Sequence, residues 1–174
     1  MSIDLGLLLL RLVVGLLLAG HGAQKLFGWF SGPGFKGITG WLGTIGLRPA
    51  PFWAFMAGMS EFGGGLLVAL GLLNPLGALG IIGAMLMAIF LVHWGKGLWA
   101  SNGGSEVPLT NIAAVLALAL SGPGAYSLDA VLGIALPEPI SLLGGLVLVV
   151  LGIAAALLGQ ERKPAAVQRA DQNA

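Results

Sequence analysis

Long apolar stretches broken by short polar or glycine- and proline-rich segments run the length of the chain. They predict helical spans at residues 5–27, 52–73, 76–95, 109–122 and 140–158, each dominated by Leu, Ala, Gly, Val and Ile, against a hydrocarbon core that takes about 20 residues to cross. The fourth is the short one. Its clean apolar stretch, LTNIAAVLALAL, makes only about 18 Å of helix, and SGPGAYSLDAVLG follows, so the helix either stops there or continues broken toward Leu136. Irregular backbone at membrane depth needs protein or water around it.

Between the first two spans, GFKGITGWLGTIGLRPAP carries Phe35, Ile38, Trp41, Leu42 and Ile45 at helical spacing with glycines between them. That pattern predicts a short helix lying in the interface plane, the alternative being an irregular loop held near the surface by its tryptophans. Small residues have a packing role in lipid, where helices gain no hydrophobic drive to associate and close backbone approach must replace it. Gly58, Gly65 and Ala69 in the second span, and Gly77, Gly80, Ala84 and Ala88 in the third, have the spacing for such contacts.

Composition agrees with an all-α integral membrane protein: 57% of residues are hydrophobic, 9% are charged, and the mean hydropathy is +0.96, far from a soluble domain's balance. A net charge of +1 with scattered basic residues gives no reason to invoke nucleic acid. No cysteine is present, which removes disulfides, thiolate nucleophiles and cysteine-held metal or iron–sulfur sites. The opening MSID has an acid where a signal peptide's basic region belongs, and Arg11 interrupts the apolar run, so the first segment reads as a retained span.

With five spans, Lys25, Lys36, Arg48, Lys96, Arg162, Lys163 and Arg169 fall on one side, and Arg11, Asp4, Asp129 and Glu138 on the other. The positive-inside rule then predicts an outside N-terminus and a cytoplasmic C-terminus in a prokaryotic inner membrane. The last residues, 160–174, read as a polar, disordered tail.

Ionisable residues within spans are costly toward lipid and are usually paired or functional. At 100° per residue, Asp4, Arg11, His21 and Lys25 share one face of the first span. Glu61 sits in the middle of the second span, where it needs a partner or a proton. The expected depths put it about 5 Å from His21 and about 10 Å from Arg11, and the expected pairing is bidentate, Arg11 with Glu61, with His21 as a second neighbour. The alternative is a buried ion pair that only fixes the register of two helices. A second group gathers where three spans end: His21 and Lys25, then His93, Trp94, Lys96 and Trp99, then Glu106 and Asn111. Interfacial preference alone accounts for the tryptophans, and snorkelling accounts for the lysines. Bis-histidine haem ligation is conceivable but unfavoured, a zinc site less favoured still, and no phosphate loop, nucleophile elbow or dinucleotide fingerprint is present.

Taken together, RLVVGLLLAGHGAQKLFG, EFGGGLLVALGL, FLVHWGKGLW, GGSEVPLTNIA and SGPGAYSLD resemble the DoxX family of small prokaryotic membrane proteins over residues 5–130, with Arg11, His21, Lys25, Glu61, His93, Glu106 and Asp129 in the family's order. The resemblance implies a four-helix transmembrane bundle over residues 1–136, to which 137–159 adds a fifth helix that the family core lacks. It also implies association with quinone-reducing, oxidative-stress or quinone- and catechol-resistance systems.

Three functions follow as expectations. The first is a membrane subunit of a quinone-linked oxidoreductase, with Arg11, His21, Lys25, Glu61 and His93 lining a site for a quinone or small anion, and Glu106, Asn111 and Asp129 in supporting places. Electrons would come from a soluble or membrane oxidoreductase partner, because the chain offers no cofactor site of its own, and a homo-oligomer is compatible with the bundle. The second is a small-solute carrier, though no inverted repeat is evident. The third is a non-catalytic anchoring or assembly protein.

Overall fold

The computed structural model describes residues 3–137 and 139–161. The described residues form α1 (Ile3–Phe27), α2 (Gly34–Thr44), α3 (Ala50–Leu70), α4 (Leu76–Ala88), α5 (Glu106–Ser121), α6 (Leu128–Leu132) and α7 (Ile140–Leu158), with no strand among them. A π turn, Ile89–His93, prolongs α4, and a 3-10 turn, Ala100–Asn102, follows it. Four helices are long and apolar enough to cross a membrane: α1, α3, α4 with its π turn, and α7. At 16 residues, α5 extends about 24 Å, short of a full crossing.

Helices α1, α3, α4 and α5 form the bundle, closed by α1 against α5, and α7 packs outside on α4. The largest interface, α1 on α3, is made by small residues. Gly15 meets Ala69, Ala19 meets Gly65, Gly22 meets Phe62 and Leu26 meets Gly58, so each step down α1 is a step back along α3. A Cβ on Gly15 would lie 2.5 Å from Ala69 N, and one on Gly64 would lie 2.9 Å from Gly77 O of α4. Backbones approach this closely because lipid supplies no hydrophobic drive and van der Waals contact must do the work. Leu18, Ile81 and Val115 fill the centre.

The segment 34–44 is helical, as its spacing predicts, and α2 lies against α1 and α3 with Leu42 buried. Helix α7 runs parallel to α4: Gly145 abuts Leu79, and Gly83 faces Val149. Its end is fastened to the loop after α2, where Glu161 N donates to Gly46 O at 2.8 Å and Gln160 Nε2 donates to Ile45 O at 2.8 Å. Gly46 has a φ of +81°, and any Cβ there would collide with Glu161 O, so only glycine fits.

The described residues thus begin at one end of the bundle, here called the Arg11 end, and reach the opposite, Lys25 end at Glu161. Lys25, Lys36, Arg48 and Lys96 lie toward the Lys25 end, the arrangement predicted from five passes through the bundle, although α5 makes its pass without the length for a full membrane crossing. The tail expected to be disordered over 160–174 is ordered at its start, because Gln160 and Glu161 are hydrogen-bonded to the loop after α2. Its continuation from residue 162, with the remaining basic residues assigned to that side, and Glu138 lie outside the described residues.

Candidate functional site

The expected Arg11–Glu61 pair does not form. Arg11 is buried near the far end of α3, where Gly71 packs directly on its guanidinium. Glu61 lies ten residues before Gly71, back along α3, about 15 Å away in depth. The glycine contacts between α1 and α3 slide the two helices to this register, which the spacing of charged residues does not reveal. Arg11 instead donates from Nη1 to Pro123 O and from Nη2 to Tyr126 O, both at 2.6 Å.

Those two carbonyls belong to the segment that follows the short helix α5. The chain does not continue as a broken helix toward Leu136. It turns at Gly122, passes over the start of α1, and re-forms one short helix, α6. Irregular backbone that enters the hydrocarbon region must be satisfied by protein, and side chains from elsewhere bond to this segment. Asp4 Oδ1 accepts from Ala125 N at 2.9 Å. The buried Asp129 accepts from Leu73 N at 2.8 Å and Asn74 N at 2.9 Å, which caps the turn between α3 and α4, and its charge offsets that of Arg11. Ser127 caps α6 through Ala130 N. Arg11, Asp4 and Asp129 therefore complete a hydrogen-bonded closure at one end of the bundle.

The other charged cluster surrounds a cavity of about 310 Å³ at the Lys25 end, lined by His21, Lys25, Glu61, His93 and Asn111, with Met85 among its apolar walls. Lys25 Nζ stands 2.5 Å from Glu61 Oε1, and the glutamate side chain is only 3% exposed. Glu61 Oε2 is buried and has no hydrogen-bond partner among the described residues. Such an atom is costly unless something completes it.

Both histidines at this cavity have one nitrogen engaged. His93 Nδ1 lies 2.6 Å from Gly103 O, and His21 Nδ1 lies 3.2 Å from Gln24 Oε1. Gln24 Nε2 donates to Phe30 O, which orients that amide. The oxygen atoms at both Nδ1 positions suit a proton on that nitrogen, so Nε2 is the nitrogen each ring has left for a ligand. Asn111 Nδ2 reaches Met85 Sδ at 3.6 Å. The cavity thus combines one ammonium, one unfilled carboxylate oxygen and two imidazoles.

Of the expected secondary residues, Asn111 reaches the cavity. Glu106 does not line it, and its Oε2 accepts from Ala100 N at 2.8 Å, fixing the loop that forms one wall. Asp129 is at the opposite end. Trp94 and Trp99 are exposed, as interfacial indoles would be. Gln24 was not expected, although its place three residues after His21 on one helix is a readable signal. Among the described residues no group of three or more His, Cys, Asp and Glu could hold a metal ion.

Comparison with known proteins agrees with this architecture. The DoxX family model matches residues 6–94, which take in all but the first turn of α1, the whole of α2, α3 and α4, and the Lys25–Glu61 pair. An uncharacterized membrane protein of Mycobacterium tuberculosis is 32% identical over 130 residues, covering 69% of this chain and 77% of its own length. The inner membrane protein YqjF of Escherichia coli is 30% identical over 129 residues, covering 74% of this chain and 93% of its own. No solved structure matches. With more than half of its length matched, this multi-pass helical membrane protein belongs to the DoxX family.

Proposed function

We propose that this chain is the membrane subunit of a quinone-linked oxidoreductase, and that the cavity at the Lys25 end takes the quinone head. The observation that carries the reading is Glu61 Oε2, buried and unfilled beside an ammonium and two imidazoles. Reducing a quinone to a quinol takes up two electrons and two protons. The electrons come from a partner oxidoreductase. The protons and the orientation of the ring are what these residues can handle: Lys25 Nζ donates to one ring oxygen, and Glu61 and the histidine Nε2 atoms accept from hydroxyls or pass protons on. At about 310 Å³, the cavity is at the lower end of the range for small-molecule pockets, about 300–1,000 Å³, and suits a single-ring head.

Arg11, which closes the opposite end, supports the site only by holding the bundle. The positive clustering of Lys25, Lys36, Arg48 and Lys96 argues for a cytoplasmic position of the cavity, by the positive-inside rule. That position gives a soluble partner access.

Titration of the purified protein with hydroquinone and benzoquinone tests the reading. Saturable binding that is weakened in Glu61→Gln and in His93→Gln is expected. No saturable binding to the wild-type protein, with no quinone-dependent turnover in membranes that retain its partners, overturns it.

A further inference from the structure

A second void adjoins the first. It is a cleft of about 520 Å³ between α2, α3, α4 and α7, and Lys25 and Ala88 line both spaces. Apart from Lys25 and Ser60 its walls are apolar or aromatic, with Trp41, Trp53, Met87 and Val149 among them. Trp53 Nε1 already donates to Arg48 O, so its ring contributes no unmet polar group. Met56, Val92 and Leu148 on the cleft are exposed on the bundle's outer surface, which in a membrane faces lipid. The cleft is therefore a side opening from the hydrocarbon region that ends at Lys25, where the polar cavity begins.

We propose that the two spaces take one uncharged amphiphile, with an oxygen-bearing head at Lys25 and Glu61 and a hydrocarbon tail in the cleft. This deepens the quinone reading and rests on it. The charge arrangement selects the head. Among the described residues lining either space Lys25 is the only lysine or arginine, and it is paired with Glu61. A phosphate would meet the second carboxylate oxygen without a spare positive charge, whereas a neutral hydroxyl or carbonyl head meets a matching acceptor and donor. The tail adds little affinity by itself, because hydrocarbon leaves one apolar medium for another. It supplies the path and the orientation, and the polar cavity supplies the selection.

The variants are chosen from open glycine positions on α7. A Cβ on Gly152 or on Gly144 meets nothing within 4 Å, yet only Gly152 lines the cleft. Gly152→Phe fills it, and Gly144→Phe adds the same bulk elsewhere. In nanodiscs, the probes are a hydroquinone with a diazirine-bearing decyl tail, tailless hydroquinone, and a diazirine phosphatidylcholine.

The tailed probe is expected to label α4 and α7 within the cleft and to lose tenfold or more in affinity in Gly152→Phe, but not in Gly144→Phe. Tailless hydroquinone is expected to bind both variants like wild type, and Glu61→Gln to weaken both probes. Equal effects of Gly152→Phe and Gly144→Phe, or equal labelling of the cleft by the phosphatidylcholine probe, overturn the shared occupant while the quinone reading stands. Failure of both hydroquinones to bind the wild-type protein overturns the reading and the inference together.

Discussion

Lys25, in the last turn of α1, is the partner of Glu61 in the middle of α3, and the two side chains meet at 2.5 Å. The pair forms because α1 and α3 run antiparallel in a register set by glycine contacts, which brings the end of one helix level with the centre of the other. It satisfies only one carboxylate oxygen, and that half-completed state gives the cavity its chemical character.

The pair's two halves are expected to be coupled. Lys25→Met leaves Glu61 without its cation, and Glu61→Gln leaves Lys25 without its anion. A double-mutant cycle followed by thermal unfolding in detergent is expected to give a coupling energy of about 0.5–3 kcal/mol. A value near zero means that the contact does not hold the helices.

Arg11→Met is expected to destabilise the fold without altering the cavity. It leaves the carbonyls of Pro123 and Tyr126 without their donor, at about 1–3 kcal/mol for each. The unfolding midpoint should fall, while hydroquinone affinity in the folded fraction stays at the wild-type value. A selective loss of affinity at unchanged stability contradicts the closure role.

Asp129→Asn replaces one of two acceptor oxygens by an NH2 group that faces a backbone donor. Hydrogen bonds to a charged group contribute about 1.5–3 kcal/mol. Faster hydrogen exchange at the amides of Leu73 and Asn74, ahead of those in the centre of α3, is the expected readout.

Two glycines on α1 should respond in opposite ways. Gly15→Leu places atoms where Ala69 already stands, whereas Gly20 has nothing within 4 Å of an added Cβ. Gly15→Leu is expected to abolish the monodisperse folded protein on size exclusion, and Gly20→Leu to leave it unchanged. Equal tolerance at both positions contradicts the register described for α1 and α3.

Much of the architecture was legible in the residues themselves. A greasy run near 20 residues long can only be a helix in lipid, because every backbone group must be satisfied within the segment; the helices at Ile3–Phe27, Ala50–Leu70, Leu76–Ala88 and Ile140–Leu158 follow from that. The amphipathic spacing of Ile38, Trp41 and Leu42 likewise gave the helix α2, and the small residues on α3 and α4 gave close packing, whereas their partners Gly15 and Gly22 on α1 emerged only from the structure. The clustering of His21, Lys25, His93 and Asn111 was also readable, since span ends bring residues to a common depth. What the residues left open was which charge meets which. Arg11 and Lys25 share a face of α1, and helical periodicity treats both as candidates for Glu61. Only tertiary contact decides the axial register, because a slide of a few residues changes depth by several ångströms while leaving every face angle the same. The same holds for α5: its shortness was evident, but the need for Arg11 to cover the loop beyond it arises only when that loop folds back over α1 and its carbonyls require a donor that the local chain cannot supply.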